Sequence, residues 1–296
     1  MLNIIAKRNV FFVISGLIVL AGIIGLIARG GFVKDIDFAG GTTIHYNLNK
    51  EFNNTELEEF VKSTAGVNLA TVQKTGEAQK EAIIKTQYLN EEQMVKMSNA
   101  MKEKYGTEVQ KLSSDNIDPT VGKELQTKAL QAAGVASILM LIYITIRFQF
   151  KSGVAAVVAL LHDVMMMFVV YAVFGFAIST SFVVAVLTVY GYSINDTIVV
   201  FDRIRENMRF AKKEDFASVV NRSIWDTMAR SINTVLTTIL TLVALYVMGV
   251  PSIKEFTLPL LVGILSGMYS SIFIASPVWV VLKNMEDKKK LKARTA

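Results

Sequence analysis

The chain has 296 residues, with 31 Lys and Arg against 25 Asp and Glu, a net charge of +6 and 52% hydrophobic residues. A mean hydropathy of +0.42 with only 19% charged residues fits a membrane protein carrying a polar part, not a nucleic-acid binder. There is no cysteine, so disulfide and thiol chemistry are excluded, and His45 and His162 are the only histidines, which argues against a metal site and a hydrolase.

Val10 to Ala28 is apolar and follows Lys7 and Arg8. The run is long for a signal-peptide core and lacks a small-residue cleavage site before Arg29-Gly30-Gly31, so it is expected to be an uncleaved first span.

From Gly31 to about Lys128 the chain is net acidic and has no apolar run of membrane length. Ile36–Leu48 is expected as a strand by its alternation, Asn53–Ser63 as a helix with Asn54 as cap, and Leu69–Thr75 and Ala82–Gln87 as strands. Asn90 can cap a helix to Tyr105 that Gly106 stops, and Glu108–Leu112 is the last strand. The order β-α-β-β-α-β is the ferredoxin-like pattern. Gly40-Gly41 has no Lys or Ser after it and opens no helix, so it is not a phosphate loop; Gly inside a strand points to a bulge or a close backbone approach. No nucleotide-binding loop occurs elsewhere either.

Five further apolar spans follow, at about Ala129–Ile146, Val154–Phe176, Phe182–Phe201, Ile232–Val250 and Phe256–Leu282, each near the ~20 residues a helical crossing needs. The links alternate in charge. Arg147 and Lys151 follow the second span; Arg203, Arg205, Arg209, Lys212 and Lys213 follow the fourth; Lys283, Lys288, Lys289, Lys290 and Lys292 follow the sixth. The intervening links are neutral. This positive-inside pattern puts both termini in the cytoplasm and the acidic domain outside. Phe216, Val219, Val220, Ile224 and Met228 share a helical face flanked by Trp225, expected either as a helix on the inner membrane surface or as one packed on the ends of the spans.

The expected domains are therefore 1–30 with the first span, 31–127 as an extracytoplasmic α+β domain, and 128–296 with five spans, a cytoplasmic loop at 202–230 and a basic tail. The fold class is an α-helical polytopic membrane protein of six transmembrane helices, with one ferredoxin-like domain between helices 1 and 2.

Asp196 stands inside the fourth span, about four helical turns from its start at Ser181. An unpaired carboxylate there costs roughly 2.5–3.5 kcal/mol on the insertion scale, so it faces protein or water and marks a functional site. Thr188, Tyr192, Asp196, Val199 and Arg203 share one side of that span, and Arg230, Thr234, Thr237, Thr238 and Thr241 share one side of the fifth. Arg230 enters from the end that Asp196 approaches, so the two can reach similar depth. An Asp–Arg pair would hold the carboxylate ionised, and separating it would admit a proton. That is the minimum for a proton relay; a static buried ion pair with interhelical Ser/Thr hydrogen bonds fits the spacing equally well. His162-Asp163, mid-depth in the third span, is a further relay or packing pair, and Asn195 adjoins it in kind. Gly263, Gly267, Ser271 and Ala275 form a small-residue stripe on the sixth span, open to an internal or an external partner.

Tyr190-Gly191-Tyr192-Ser193-Ile194-Asn195-Asp196-Thr197-Ile198-Val199-Val200, with Asp202-Arg203-Ile204-Arg205-Glu206-Asn207, resembles the signature of the SecD/SecF family of the resistance-nodulation-division superfamily. Ile36-Asp37-Phe38-Ala39-Gly40-Gly41 resembles that family's motif at the start of its extracytoplasmic domain, and Asp37, Gly40 and Gly41 carry it; Asp35 departs from the family's usual Gly. Leu161-His162-Asp163 and Ser223-Ile224-Trp225-Asp226-Thr227-Met228-Ala229-Arg230-Ser231 match as well. The resemblance covers the whole chain. It implies a non-enzymatic accessory subunit of protein export in the bacterial cytoplasmic membrane, driven by the proton motive force, without a cofactor, the coupling ion being H+. It implies pairing with SecD, association with the SecYEG channel and with YajC, contact with the translocating preprotein, and no nucleic-acid partner. It ties Asp196 and Arg230 to proton conduction. A small-molecule transporter half and a non-conducting scaffold of the translocon are the competing functions.

Overall fold

Six apolar runs become six helices long enough to cross a bilayer, as seen in a computed structural model that describes residues 3–76, 79–211 and 214–295. Lys212 and Lys213, and the side chains of Lys288, Lys289, Lys290 and Lys292, lie outside the described residues. The chain divides into two units, one of residues 1–33, 131–176 and 181–296, the other of residues 34–130 and 177–180.

The first helix, α1, spans Arg8–Ala28. The polar unit begins with a single helical turn, α2 (Ile36–Ala39), followed by β1 (Gly41–Asn47). The strand expected over Ile36–Leu48 thus begins five residues later and ends one residue earlier. Its alternation is real, but Asp35 accepts a hydrogen bond from Ile36 N–H and opens a helical turn, and Gly40, at φ +77°, closes it. A Cβ at Gly40 would stand 2.6 Å from Cα of Pro119, and one at Gly41 2.5 Å from the Thr86 carbonyl. Both glycines are therefore required by close backbone approach, and Gly40 also by its left-handed conformation. Asp35, the departure from the family pattern, has a local function: its carboxylate meets Lys85 Nζ at 2.9 Å.

Next come α3 (Asn54–Ala65), β2 (Ala70–Thr75), β3 (Glu81–Thr86), α4 (Glu91–Tyr105) and β4 (Gln110–Ile117). The cap of α3 is Asn53, one residue before the expected Asn54: its side chain accepts from Thr55 N–H at 2.9 Å. Asn90 and Gln93 close a reciprocal capping box on α4. The sheet is antiparallel throughout, in the order β2-β3-β1-β4, which is the ferredoxin-like arrangement. Ile44, Tyr46, Ile84 and Val72 on one face pack with Leu57 and Val61 of α3 and Met97 and Met101 of α4. The other face carries polar side chains, including His45, whose Nε2 lies 2.9 Å from Glu81. Asp37 accepts from Thr180 N–H at 2.9 Å, within the same unit. Asp118, just before α5 (Pro119–Arg147), accepts from Thr120 N–H at 2.8 Å; the Thr120 hydroxyl and, after it, this backbone bond hold its carboxyl below the usual carboxylate range.

In the other unit, α6 (Phe150–Phe174), α7 (Thr180–Phe210) and α8 (Phe216–Met248) are each continuous. The sixth span comprises α9 (Pro251–Ser270), a π-helical turn at Ser271–Ala275 and α10 (Ser276–Thr295). Pro277 follows that turn; it lacks the N–H for a regular bond and crowds the carbonyl four residues back, which accounts for the widened turn. The third, fourth and sixth spans are the buried ones, while α1, α5 and α8 are mostly exposed within this chain.

Two expectations are resolved here. The amphipathic stretch 216–228 is the first part of α8 and packs its apolar face on the spans, the second of its two expected readings, not the surface helix. Val219, Val220 and Ile224 are fully buried, and Phe216 packs edge-on to Trp279 at 5.5 Å. The expected loop 202–230 shrinks to a short break between Phe210 and Phe216, because no Gly or Pro interrupts helix on either side.

One end of this unit gathers the N-terminal residues, the α5–α6 link, the α7–α8 link and the start of the tail. Ile4 N–H donates to Asn221 at 2.8 Å, Arg147 meets Asp202 at 3.4 Å, and Lys151 pairs with Glu286.

Candidate functional site

Two carboxylates stand inside the spans, and their surroundings differ. Asp163, on α6, is fully buried. Its Oδ2 accepts from Ser193 Oγ at 2.6 Å and from Ser270 Oγ at 2.8 Å. Its Oδ1 accepts from Ser266 Oγ at 2.8 Å, and His162 Nδ1 lies 3.3 Å away. His162 Nε2 is 3.0 Å from Ser15 Oγ of α1, which reaches the Tyr269 hydroxyl at 3.3 Å. Tyr269 donates to the Phe11 carbonyl at 3.0 Å. A continuous polar chain thus crosses from α1 through α6 to α7 and α9.

Asp196, on α7, has one donor: Ser231 Oγ of α8, at 2.6 Å from Oδ1. Its Oδ2 is buried and has no hydrogen-bond partner among the described residues. The carboxylate borders a cavity of about 170 Å³, shared with Arg230, Tyr192, Asn195, Ser193 and Thr234. A void of that size has room for several waters. Arg230 shares this cavity with Asp196, yet the hydrogen bond to the carboxylate comes from Ser231, the residue after Arg230. The structure therefore places both expected relay residues in one cavity without a direct hydrogen bond between them. Tyr192, Asn195, Arg230 and Thr234 are exposed on the surface of this chain and Thr238 is half-buried, so the polar row reaches the periphery of the unit.

Ser193 connects the two sites. Its hydroxyl binds Asp163, and the residue also lines the Asp196 cavity. Its carbonyl accepts from Thr197 Oγ at 3.1 Å and Ser271 Oγ at 3.4 Å. The small-residue stripe of the sixth span has an internal partner. A Cβ on Gly263 would meet Val189 at 2.3 Å, and one on Gly267 would meet Ser193 at 3.0 Å, so the glycines let α9 lie against α7.

Sequence reasoning missed Ser231, Ser193, Ser266, Ser270, Ser15 and Tyr269. Ser266 and Ser270 did carry a signal: they are four residues apart in an apolar span, on a face next to the glycine stripe. The threonines on α8 do not bridge helices. Thr237, Thr238 and Thr241 donate to carbonyls three or four residues back.

Residues 96–285 match the family described as "Protein export membrane protein SecD/SecF, C-terminal". The chain is 37% identical over 293 residues to the protein translocase subunit SecF of Alicyclobacillus acidocaldarius, covering 97% of this chain and 94% of that protein. It is 38% identical over 288 residues to the protein translocase subunit SecDF of Bacillus subtilis, covering 96% of this chain and 38% of the longer relative. A crystal structure of SecDF from Thermus thermophilus, described as a translocon-associated membrane protein, superposes with a TM-score of 0.83 at 32% identity. That match covers 96% of this chain and 39% of SecDF.

Proposed function

The chain belongs to the SecD/SecF family of protein-export membrane proteins, and from that premise we propose that it is the ion-coupling half of a two-part accessory to the Sec translocase. It is a multi-pass membrane protein. In the proposed arrangement it lies in the bacterial cytoplasmic membrane with both termini in the cytoplasm and residues 31–127 outside. The charge asymmetry of its links supports that orientation.

The proposed partner in the membrane is a SecD chain. Relatives that carry both halves in one polypeptide support it, as does the exposed polar row beside Asp196. A charged group at membrane depth needs protein or water against it, and a second half would provide that cover. Contacts with the SecYEG channel, YajC and the emerging preprotein belong to the same proposal.

The observation that carries the coupling role is the Asp196 carboxylate, with one oxygen bonded to Ser231 and the other unpaired at a cavity that also holds Arg230. Such a group can gain and lose a proton without breaking a helix–helix network. Protonation would neutralise the carboxylate and leave the Arg230 charge in the same cavity uncompensated, weakening the pull between two different helices. That is a route from proton occupancy to relative movement of α7 and α8, and from there to work on a preprotein.

The test is gradient-dependent completion of preprotein translocation in vesicles, with the chain assembled with its SecD partner. Asp196→Asn and Arg230→Met are expected to abolish the gradient-dependent part while the complex still assembles. Full gradient dependence in both variants would overturn the coupling role and leave a scaffold. Unchanged export with altered drug efflux would point instead to a small-molecule transporter half.

A further inference from the structure

A second cavity, of about 330 Å³, lies at the end of the membrane unit that gathers the N-terminal residues and the α7–α8 link. Arg147, Arg205 and Lys283 line it, together with Phe148, Phe216 and Trp279, and no carboxylate among the described residues does. Asp202 and Glu206 border a neighbouring recess that Arg147 and Arg205 also line, and Glu206 is engaged by Arg203 at 2.9 Å. Arg147 has a long 3.4 Å contact to Asp202. Arg205 and Lys283 have no ion pair among the described residues. The Lys283 ammonium rests 3.9 Å from the centroid of the Phe216 ring, and the Arg147 guanidinium lies 5.1 Å from that of Phe148.

Three cations around one void repel one another unless an anion joins them. The void is amphipathic: its charges are matched by an aromatic wall, at the depth where a span ends. Trp279 is only 5% exposed, and its indole N–H is buried with no acceptor among the described residues. A soluble anion would meet the cations alone and leave the remaining apolar wall of the void uncovered. A molecule with a phosphate on an apolar body uses both.

We propose that this cavity binds the headgroup of an anionic phospholipid, its phosphate held by Arg147, Arg205 and Lys283 and its glycerol and upper acyl region against Phe148, Phe216 and Trp279. The lipid would fill the gap between α5, α7 and α10 at the membrane surface. Basic pockets between spans are the sites that take acidic lipid headgroups.

The test uses the full chain carrying Trp225→Phe, so that Trp279 is the sole tryptophan. It is reconstituted in vesicles in which dibrominated phosphatidylglycerol or dibrominated phosphatidylcholine replaces its unbrominated form, and quenching of Trp279 is followed. The expected result is a preference for phosphatidylglycerol of at least about tenfold. Arg205→Gln and Lys283→Gln each lower it about fivefold, corresponding to about 1 kcal/mol per surface cation. Arg209→Gln, which borders only the neighbouring recess, leaves it unchanged. Equal quenching by the two lipids would overturn the site, and so would an equal loss in Arg209→Gln, which would reduce the effect to overall charge. Competition by free glycerophosphate at matched phosphate concentration would overturn the lipid assignment in favour of a soluble phosphate.

Discussion

Asp163 and Asp196 are both carboxylates on apolar helices, and Ser193 connects them, yet the fold treats them in opposite ways. Asp163 accepts from three serine hydroxyls on two other helices and sits beside His162, with no side-chain surface open to solvent. Asp196 accepts from one, keeps an oxygen without a partner and faces a void. A saturated buried carboxylate is a structural anchor, because every change in its charge disturbs several donors at once. An under-bonded one is free to change state at small structural cost. The contrast is what supports the proposed division, with packing for Asp163 and ion handling for Asp196.

The contrast is broken most sharply by stability. Asp163→Ala would leave three hydroxyls and an imidazole without their acceptor, and is expected to destabilise the membrane unit by about 3–5 kcal/mol, the range for removing one member of a buried charged network. Asp196→Ala removes one hydrogen bond and one costly carboxylate, and is expected to change stability by less than about 1 kcal/mol. Unfolding of the two variants in a bilayer mimetic, measured by steric trapping, gives the comparison; equal losses would erase it.

A smaller effect is expected from Ser193→Ala. Asp163 keeps its other donors, so the cost should be about 1–2 kcal/mol, and gradient-driven translocation should slow only partly. A loss as large as that of Asp196→Asn would mean that Ser193 carries protons instead of holding Asp163. Smaller still is Gly267→Ala. Its Cβ would meet Ser193 at 3.0 Å, so α9 must give by a few tenths of an ångström, at an expected cost of about 1 kcal/mol. Thermal unfolding of the reconstituted chain would register it.

The elements were legible where one strong local signal set them. The spans follow from unbroken apolar runs, and α4 follows from Asn90, Gln93 and Gly106, whose capping is written in three residues. The strand order followed because alternation and caps agreed along the chain. At Ile36–Ala39, alternation misled because Asp35 and Gly40 close a helical turn on residues that pattern as a strand. Around Arg230, polarity resembled a boundary, but without a breaker the helix runs through it, so the stretch 216–228, expected either on the membrane surface or packed on the spans, is the packed first part of α8. For the site, helical spacing put Asp196 and Arg230 at one depth. It could not show that Ser231 would take the hydrogen bond, since that depends on rotation of α8 about its axis. The serine shell of Asp163 is assembled from residues 30 to 107 positions away in sequence, and no local pattern predicts that convergence.

The most direct test of the contrast is infrared difference spectroscopy of the chain reconstituted with its SecD partner, recorded across a pH step and compared among wild type, Asp196→Asn and Asp163→Asn. The assignment predicts a protonated-carboxyl band that appears on acidification, disappears in Asp196→Asn and persists in Asp163→Asn. A band that survives Asp196→Asn but is lost in Asp163→Asn would contradict it, and would make the saturated cluster, not the open cavity, the place where the proton resides.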